Sequence, residues 1–261
     1  LTLKVSEAFP EKTWLIPCLH DESFARVKLI GDRFRQVRGC LFNSEPEREL
    51  AMRLYGLGPD CGGVVGMAME PFEADADAFA ARHQLETPYV LYSGRQEDGK
   101  NTPLLLDYLH TYTERRQGAV TLVMTGSGDV PVPEKLRPYL LSLGFVSEQE
   151  KHEAMAGAAV FLHPSVNESF GIVLLEAWLA GTPALVHDKG EVLKWQCRRS
   201  GGGLWFRDYP EFETLLDRLL EDGDLNRTLA AAGKSYVENT YSREAIAARL
   251  FTCLQGTTHA S

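Results

Sequence analysis

Short apolar runs alternate with amphipathic stretches along nearly the whole chain, and this alternation restricts the fold more than any other feature. Strand candidates fall at residues 14–16, 39–42, 63–65, 89–92, 120–124, 160–162, 184–186 and 204–206. Helical patterns separate them at 22–37, 45–55, 102–116, 148–156 and 212–220. Two of these helices begin with capping boxes, Ser44-x-x-Glu47 and Ser147-x-x-Glu150. Such alternation predicts an α/β fold with parallel sheets wrapped by helices.

The chain has 261 residues, enough for one large domain or two modest ones. An acidic segment without strand pattern, Glu70-Pro-Phe-Glu-Ala-Asp-Ala-Asp77, marks a boundary near residues 71–80. We expect residues 1–73 to be the remnant of an amino-terminal lobe, 74–240 a complete carboxyl-terminal α/β domain, and 241–261 a terminal helix packing back toward the first lobe. Only three strand candidates precede the boundary, and the chain opens at Leu1 without a methionine, so we expect a truncated first lobe. Uncovered apolar surface is then expected near residues 14–16 and 41–42.

The net charge of −9 argues against a broad nucleic-acid or anionic-membrane surface, so any anion site must be local. The five cysteines are scattered without a Cys-x-x-Cys pair, which favours reduced thiols and a cytoplasmic setting. No apolar run approaches the roughly 20 residues of a membrane span.

The densest chemistry lies in Glu168-Ser-Phe-Gly-Ile-Val-Leu-Leu-Glu176. Glu168 closes a polar loop after the strand at 160–162, and Glu176 falls about one turn inside a helix predicted over 171–180. Gly181 and Pro183 end that helix. Backbone N–H groups near Phe170 and Gly171 at the helix start favour an anion. Two hydroxyl acceptors beside a phosphate cradle suit a sugar nucleotide.

A second loop, Ser93-Gly-Arg-Gln-Glu-Asp-Gly-Lys-Asn101, follows the strand at 89–92. It brings Arg95 and Lys100 to the carboxyl rim of the sheet, where open parallel sheets bind ligands. Gly94-x4-Gly99-Lys100 nearly matches a P-loop, but Asn101 stands where magnesium needs Ser or Thr, and Glu97 and Asp98 oppose phosphate. Gly126-Ser-Gly128 lacks the third glycine of a dinucleotide fingerprint because Pro131 stands there, and is read as a turn leaving room for a ligand. His20 ends the first strand region. His163 is read as loop structure. No His, Asp and Glu set shows convincing metal-ligand spacing.

Together these residues resemble glycosyltransferase family 4, the retaining enzymes of GT-B architecture (glycosyl transferases group 1). The strongest match is Phe161-Leu-His-Pro-Ser-Val-Asn-Glu168-Ser-Phe-Gly171 through Glu176-Ala-Trp-Leu-Ala-Gly181-Thr-Pro183. Gly94-Arg95…Lys100-Asn101 matches the family's diphosphate loop, and Leu143-Gly-Phe-Val146 its next strand and base-side loop. The junction Met67-Ala-Met-Glu70 departs from the usual Asn-Gly-Val-Asp.

The resemblance implies Rossmann-like lobes and transfer of a sugar from a nucleotide-sugar donor to a saccharide, lipid-linked or small-molecule acceptor, without cofactor or metal. It assigns His20 and Glu168 to the reacting sugar. It assigns Gly94, Arg95, Lys100, Val146, Ser169, Phe170, Gly171, Ile172 and Glu176 to the donor, with Glu176 on the ribose. It implies no nucleic-acid partner, and it allows a peripheral contact with the cytoplasmic face of a membrane through the front of the first lobe. Since that lobe holds the acceptor in such enzymes, this chain alone is expected to be weakly active or inactive. Three alternatives remain open: a nucleotide-sugar-binding protein without turnover, a GT-B sugar-nucleotide epimerase and a P-loop NTPase.

Overall fold

The computed structural model describes residues 2–85, 88–118 and 120–256. The chain forms two compact units. The first gathers residues 1–68, 167–170 and 240–261, and the second residues 69–166 and 171–239.

The first unit runs α1 (Thr2–Ala8), β1 (Trp14–Leu15), α2 (Lys28–Gln36), β2 (Gly39–Phe42), α3 (Glu45–Tyr55) and β3 (Gly62–Val64). Its three strands are parallel in the order β1-β2-β3. Leu15, Phe34, Cys40, Phe42, Leu50 and Tyr55 share one apolar cluster. The helix predicted over 22–37 is broken: a 3-10 turn covers Ser23–Arg26, and α2 begins only after Val27, which is extended. The surface expected to be uncovered is only partly so. Ile16 is exposed, whereas Leu41 and Phe42 are buried because β2 is the central strand.

The second unit runs α4 (Ala76–His83), β4 (Tyr89–Ser93), α5 (Thr102–Arg115), β5 (Thr121–Thr125), β6 (Leu140–Gly144), α6 (Glu148–Gly157), β7 (Val160–His163), α7 (Ile172–Leu179), β8 (Ala184–His187), α8 (Glu191–Ser200), β9 (Gly203–Phe206), α9 (Tyr209–Glu221) and α10 (Gly223–Thr240). The last helix, α11 (Arg243–Gly256), belongs to the first unit, where it packs on β3 with Cys253 against Gly63. Residues 257–261 of the expected terminal segment lie outside the described residues.

Both serines cap their helices. Ser44 Oγ accepts from Glu47 N and Ser147 Oγ from Glu150 N. The six strands of the second unit are all parallel in the order β6-β5-β4-β7-β8-β9. From β4 the chain winds outward to β6, then crosses back to place β7 on the other side of β4. Strand order therefore reverses between β4 and β7, and a crevice opens there beyond the strand carboxyl ends. The strands at its centre are buried throughout because helices cover both faces.

Candidate functional site

In the second unit, two loops flank this switch point. The loop after β4 carries Gly94, Arg95 and Lys100. The chain after β7 leads through Pro164 and Ser165, both buried, to the start of α7. A direct bond ties them: Asn101 Nδ2 donates to the Pro164 carbonyl at 3.2 Å. Asn101 adopts the left-handed conformation that caps the short turn Asp98–Lys100, which aims its side chain across the crevice.

The glycines at 126 and 128 serve the loop after β4 rather than leaving room for a ligand. Gly94 N donates to the Thr125 carbonyl and Gln96 N to the Ser127 carbonyl, so the two loops continue the β4–β5 pairing. A Cβ on Gly126, whose φ is +112°, would lie 2.0 Å from the Gly94 carbonyl oxygen. Tyr92 Oη adds a 2.6 Å hydrogen bond to the Arg95 carbonyl.

This packing also argues against the P-loop reading. There the loop amides face phosphate. Here Gly94, Gln96, Lys100 and Asn101 donate their N–H groups to the carbonyls of Thr125, Ser127, Glu97 and Asp98. Arg95 is exposed and ion-paired with Glu97 at 3.0 Å, while Lys100 is half-buried.

Across the crevice, Gly171 starts α7 with φ +85°, and a Cβ there would lie 2.7 Å from Leu193 Cδ2. Glycine satisfies both demands. The first intrahelical bond comes from Leu174 N to the Gly171 carbonyl, so the amides of Ile172 and Val173 lie outside the helical ladder. Ile172 is 43% exposed, and Val146, in the loop after β6, is half-buried.

Glu176, on α7, is largely covered. Burial raises its carboxyl above the ordinary range, and the Lys151 ammonium opposes that rise. Lys151 Nζ lies 3.0 Å from both Glu176 oxygens and 2.8 Å from Glu148 Oε2. Burial works against the Lys151 charge, yet the two carboxylates outweigh it and its pKa is raised. His152, on the next position of α6, stacks on Phe72 with ring centroids 3.5 Å apart. Burial lowers its pKa, helped by the charge of Lys151.

Sequence reasoning missed this cluster. Glu148, His152 and Glu176 bring ligand-type atoms within 4.8 Å of one another, a spacing that could hold a divalent cation. Lys151 already places a positive charge among them. The signal was the i,i+4 spacing of Glu148 and His152 on one face of α6.

The remaining predicted residues lie in the first unit. His20 is half-buried, with Nδ1 3.8 Å from Glu22 Oε2. Glu168 is also half-buried. Ser169 is buried and its carbonyl accepts from Ser44 Oγ at 2.9 Å. Phe170 is buried edge-on to Tyr241, with centroids 5.1 Å apart. His163, read as loop structure, is instead the buried last residue of β7.

A parallel sheet with a switch point, helices on both faces, cationic residues on one side of that point and a helix amino terminus on the other place the second unit in the doubly wound class of α/β domains. The chain belongs to the family of glycosyl transferases group 1, whose profile matches residues 73–236. It is 28% identical over 218 residues to the D-inositol 3-phosphate glycosyltransferase of Streptomyces bingchenggensis, covering 68% of this chain and 48% of that protein. It is 36% identical over 129 residues to the phosphatidyl-myo-inositol mannosyltransferase of Mycobacterium tuberculosis, covering 45% and 34%. Among solved structures, the sucrose-phosphate synthase of Thermosynechococcus elongatus superposes with a TM-score of 0.73 at 22% identity, covering 92% of this chain and 63% of that one. Anabaena Alr3699/HepE in complex with UDP-glucose gives 0.74 at 19% identity, covering 93% and 71%. These neighbours share the GT-B class of fold. The chain spans about half the length of the first of these curated relatives, and about a third of the second.

Proposed function

We propose that this chain is the donor-binding part of a retaining, family 4 glycosyltransferase that moves a sugar from a nucleotide diphosphate to an acceptor hydroxyl. One observation carries the reading: the Asn101–Pro164 clasp joins the Arg95/Lys100 loop to the chain leading into α7, at the switch point of the second unit. Residues 69–166 and 171–239 form the donor side on this reading, and residues 1–68 part of the acceptor side.

As the glycosidic bond breaks, negative charge develops on the leaving diphosphate. Lys100, Arg95 once released from Glu97, and the amides of Ile172 and Val173 are the groups that stabilise it. With those charges from the protein, no metal or cofactor is needed. Glu176 accepts from the ribose, and Val146 borders the base. For His20, Glu168, Ser169 and Phe170 the assignment rests on the family resemblance alone. Retention follows from attack on the face the diphosphate leaves.

The relatives' names point to inositol phosphate and phosphatidylinositol, so the acceptor class we favour is a polyol hydroxyl, free or lipid-linked. Among the described residues no helix is long and apolar enough to cross a membrane. We place the enzyme in the cytoplasm.

Released nucleotide from a panel of sugar nucleotides tests the reading in the whole protein. Lys100→Ala is expected to lower turnover by about 10²–10³-fold. Unchanged turnover overturns the assignment, and product analysis with labelled donor separates transfer from epimerisation.

A further inference from the structure

The acidic residues of the loop after β4 have no part in the donor reading. This loop carries Arg95 and Lys100 against Glu97 and Asp98, so its formal charge is zero. Glu97 folds over the loop rather than away from it: its Oε1 lies 3.0 Å from Arg95 Nη1, and a Cβ on Gly99 would meet the same oxygen at 3.6 Å. The backbone around it is held. The Glu97 carbonyl accepts from Lys100 N at 3.0 Å and from Thr102 Oγ1 at 2.9 Å, and Gln96 Nε2 donates to the Gly126 carbonyl at 3.0 Å. When Arg95 leaves Glu97 for a ligand, the carboxylate therefore remains in the loop.

The amides of Gly94, Gln96, Lys100 and Asn101 are donated to carbonyls, so attraction for an anion in this loop comes from its two cationic side chains. A phosphate held by Arg95 comes close to the Glu97 carboxylate as well. In a water-like medium, each ligand charge about 5 Å from that carboxylate lowers affinity about fourfold. A diphosphate esterified to a sugar lacks the second ionisation, near pH 6, of a free terminal phosphate, so it carries about one charge fewer at neutral pH.

We propose that Glu97 is a specificity residue: it disfavours the free terminal phosphate of a nucleoside diphosphate more than the sugar ester of the same nucleotide. The inference rests on the donor reading of this site. Glu97 holds Arg95 in the empty site and repels the extra charge in the filled one. The same repulsion opposes the charge that develops on the leaving diphosphate, and its benefit is faster release of that product.

The test is calorimetry of UDP against UDP-glucose, and of GDP against GDP-mannose, on wild type, Glu97→Gln, Glu97→Ala and Asp224→Asn, the last removing one exposed charge on α10. At low salt, both Glu97 variants are expected to strengthen binding of the free diphosphate about fourfold more than binding of its sugar ester. Raising the ionic strength to about 1 M, where the Debye length is about 3 Å, should remove most of that difference. Asp224→Asn should leave the preference unchanged. Equal gain for both ligands, an unchanged or weakened diphosphate affinity, a shift that persists in high salt, or the same shift in Asp224→Asn overturns the role of Glu97. The pair is exposed, at 65% for Arg95 and 41% for Glu97, so melting curves of both Glu97 variants should match wild type. A lowered melt in both would contradict a role confined to ligand charge. Failure of wild type to bind any of the four ligands instead overturns the donor reading beneath it.

Discussion

Asn101 and Pro164 stand on the two central strands' loops, and the 3.2 Å hydrogen bond between the Asn101 side chain and the Pro164 carbonyl clasps the rim of the crevice. Asn101 is suited to this twice over, since it tolerates the left-handed backbone at φ +58° and carries the donor. Asn101→Gly keeps the backbone and removes the clasp. It should cost about 1 kcal/mol of stability and weaken nucleotide binding. Asn101→Ala adds left-handed strain of about 1 kcal/mol more. Equal melts for the two variants would show that the conformation contributes nothing.

Gly126→Ala should disturb the diphosphate loop from behind. The added Cβ would meet the Gly94 carbonyl oxygen at 2.0 Å, and the backbone lies at φ +112°. The β5 and β4 loops must separate, which moves Arg95 and Lys100. We expect a destabilisation of about 1–3 kcal/mol, with a larger fractional loss of nucleotide affinity than in Asn101→Gly. Wild-type affinity in a folded Gly126→Ala protein would contradict the coupling of the two loops.

Glu47 gives the first unit a pH dependence. Its carboxyl accepts from Leu19 N at 2.5 Å and Asn43 N at 2.6 Å, anchoring the segment before His20 to the start of α3. Burial nevertheless outweighs these bonds and pushes the pKa up to about 7 from 4.5. A raised pKa means the folded state holds the proton more tightly. The stabilisation is therefore complete below about pH 4.5 and is lost as pH rises through about 7. Relative to the non-titrating Glu47→Gln, wild type should lose about 3 kcal/mol across that window. Thermal melts of both proteins from pH 5 to 8 check this, and a pH-independent difference would refute it.

Trp178 fills the core of the second unit, donating Nε1–H to the Gly202 carbonyl at 2.7 Å. Gly233 of α10 lies against the indole, and a Cβ there would come within 2.6 Å of the ring. Gly233→Ala should cost about 1–3 kcal/mol by overpacking, despite alanine's better helix propensity. A stabilised Gly233→Ala protein would show that α10 can move off the indole freely.

Parallel sheets, the capped starts of α3 and α6, and the helix expected over 171–180 were legible in the sequence because each rests on local pattern. Alternating apolar runs report strands buried on both faces, and Ser44 and Ser147 announce their helices through bonds three residues away. What depended on distant partners was not legible. Gly126 reads as a turn glycine until the Gly94 carbonyl is seen beside it. Lys151 reads as a surface residue of an amphipathic helix until α7 brings Glu176 to it. The break at Val27 was hidden because the pattern over 22–37 continues through a 3-10 turn of similar period. Nor was it legible which of the scattered cysteines are enclosed: Cys40 and Cys197 are buried, and that burial raises their thiol pKa values.

On the proposed function, the switch point of the second unit holds a nucleotide diphosphate through protein charges alone. Calorimetric titration of UDP and GDP into the protein in the presence of EDTA tests it most directly. At least one is expected to bind with a Kd between about 1 µM and 1 mM, weakened about tenfold or more by Lys100→Ala and by Glu176→Gln. Absence of binding by both at several times that upper concentration, or binding that appears only with magnesium and survives both substitutions, would contradict it.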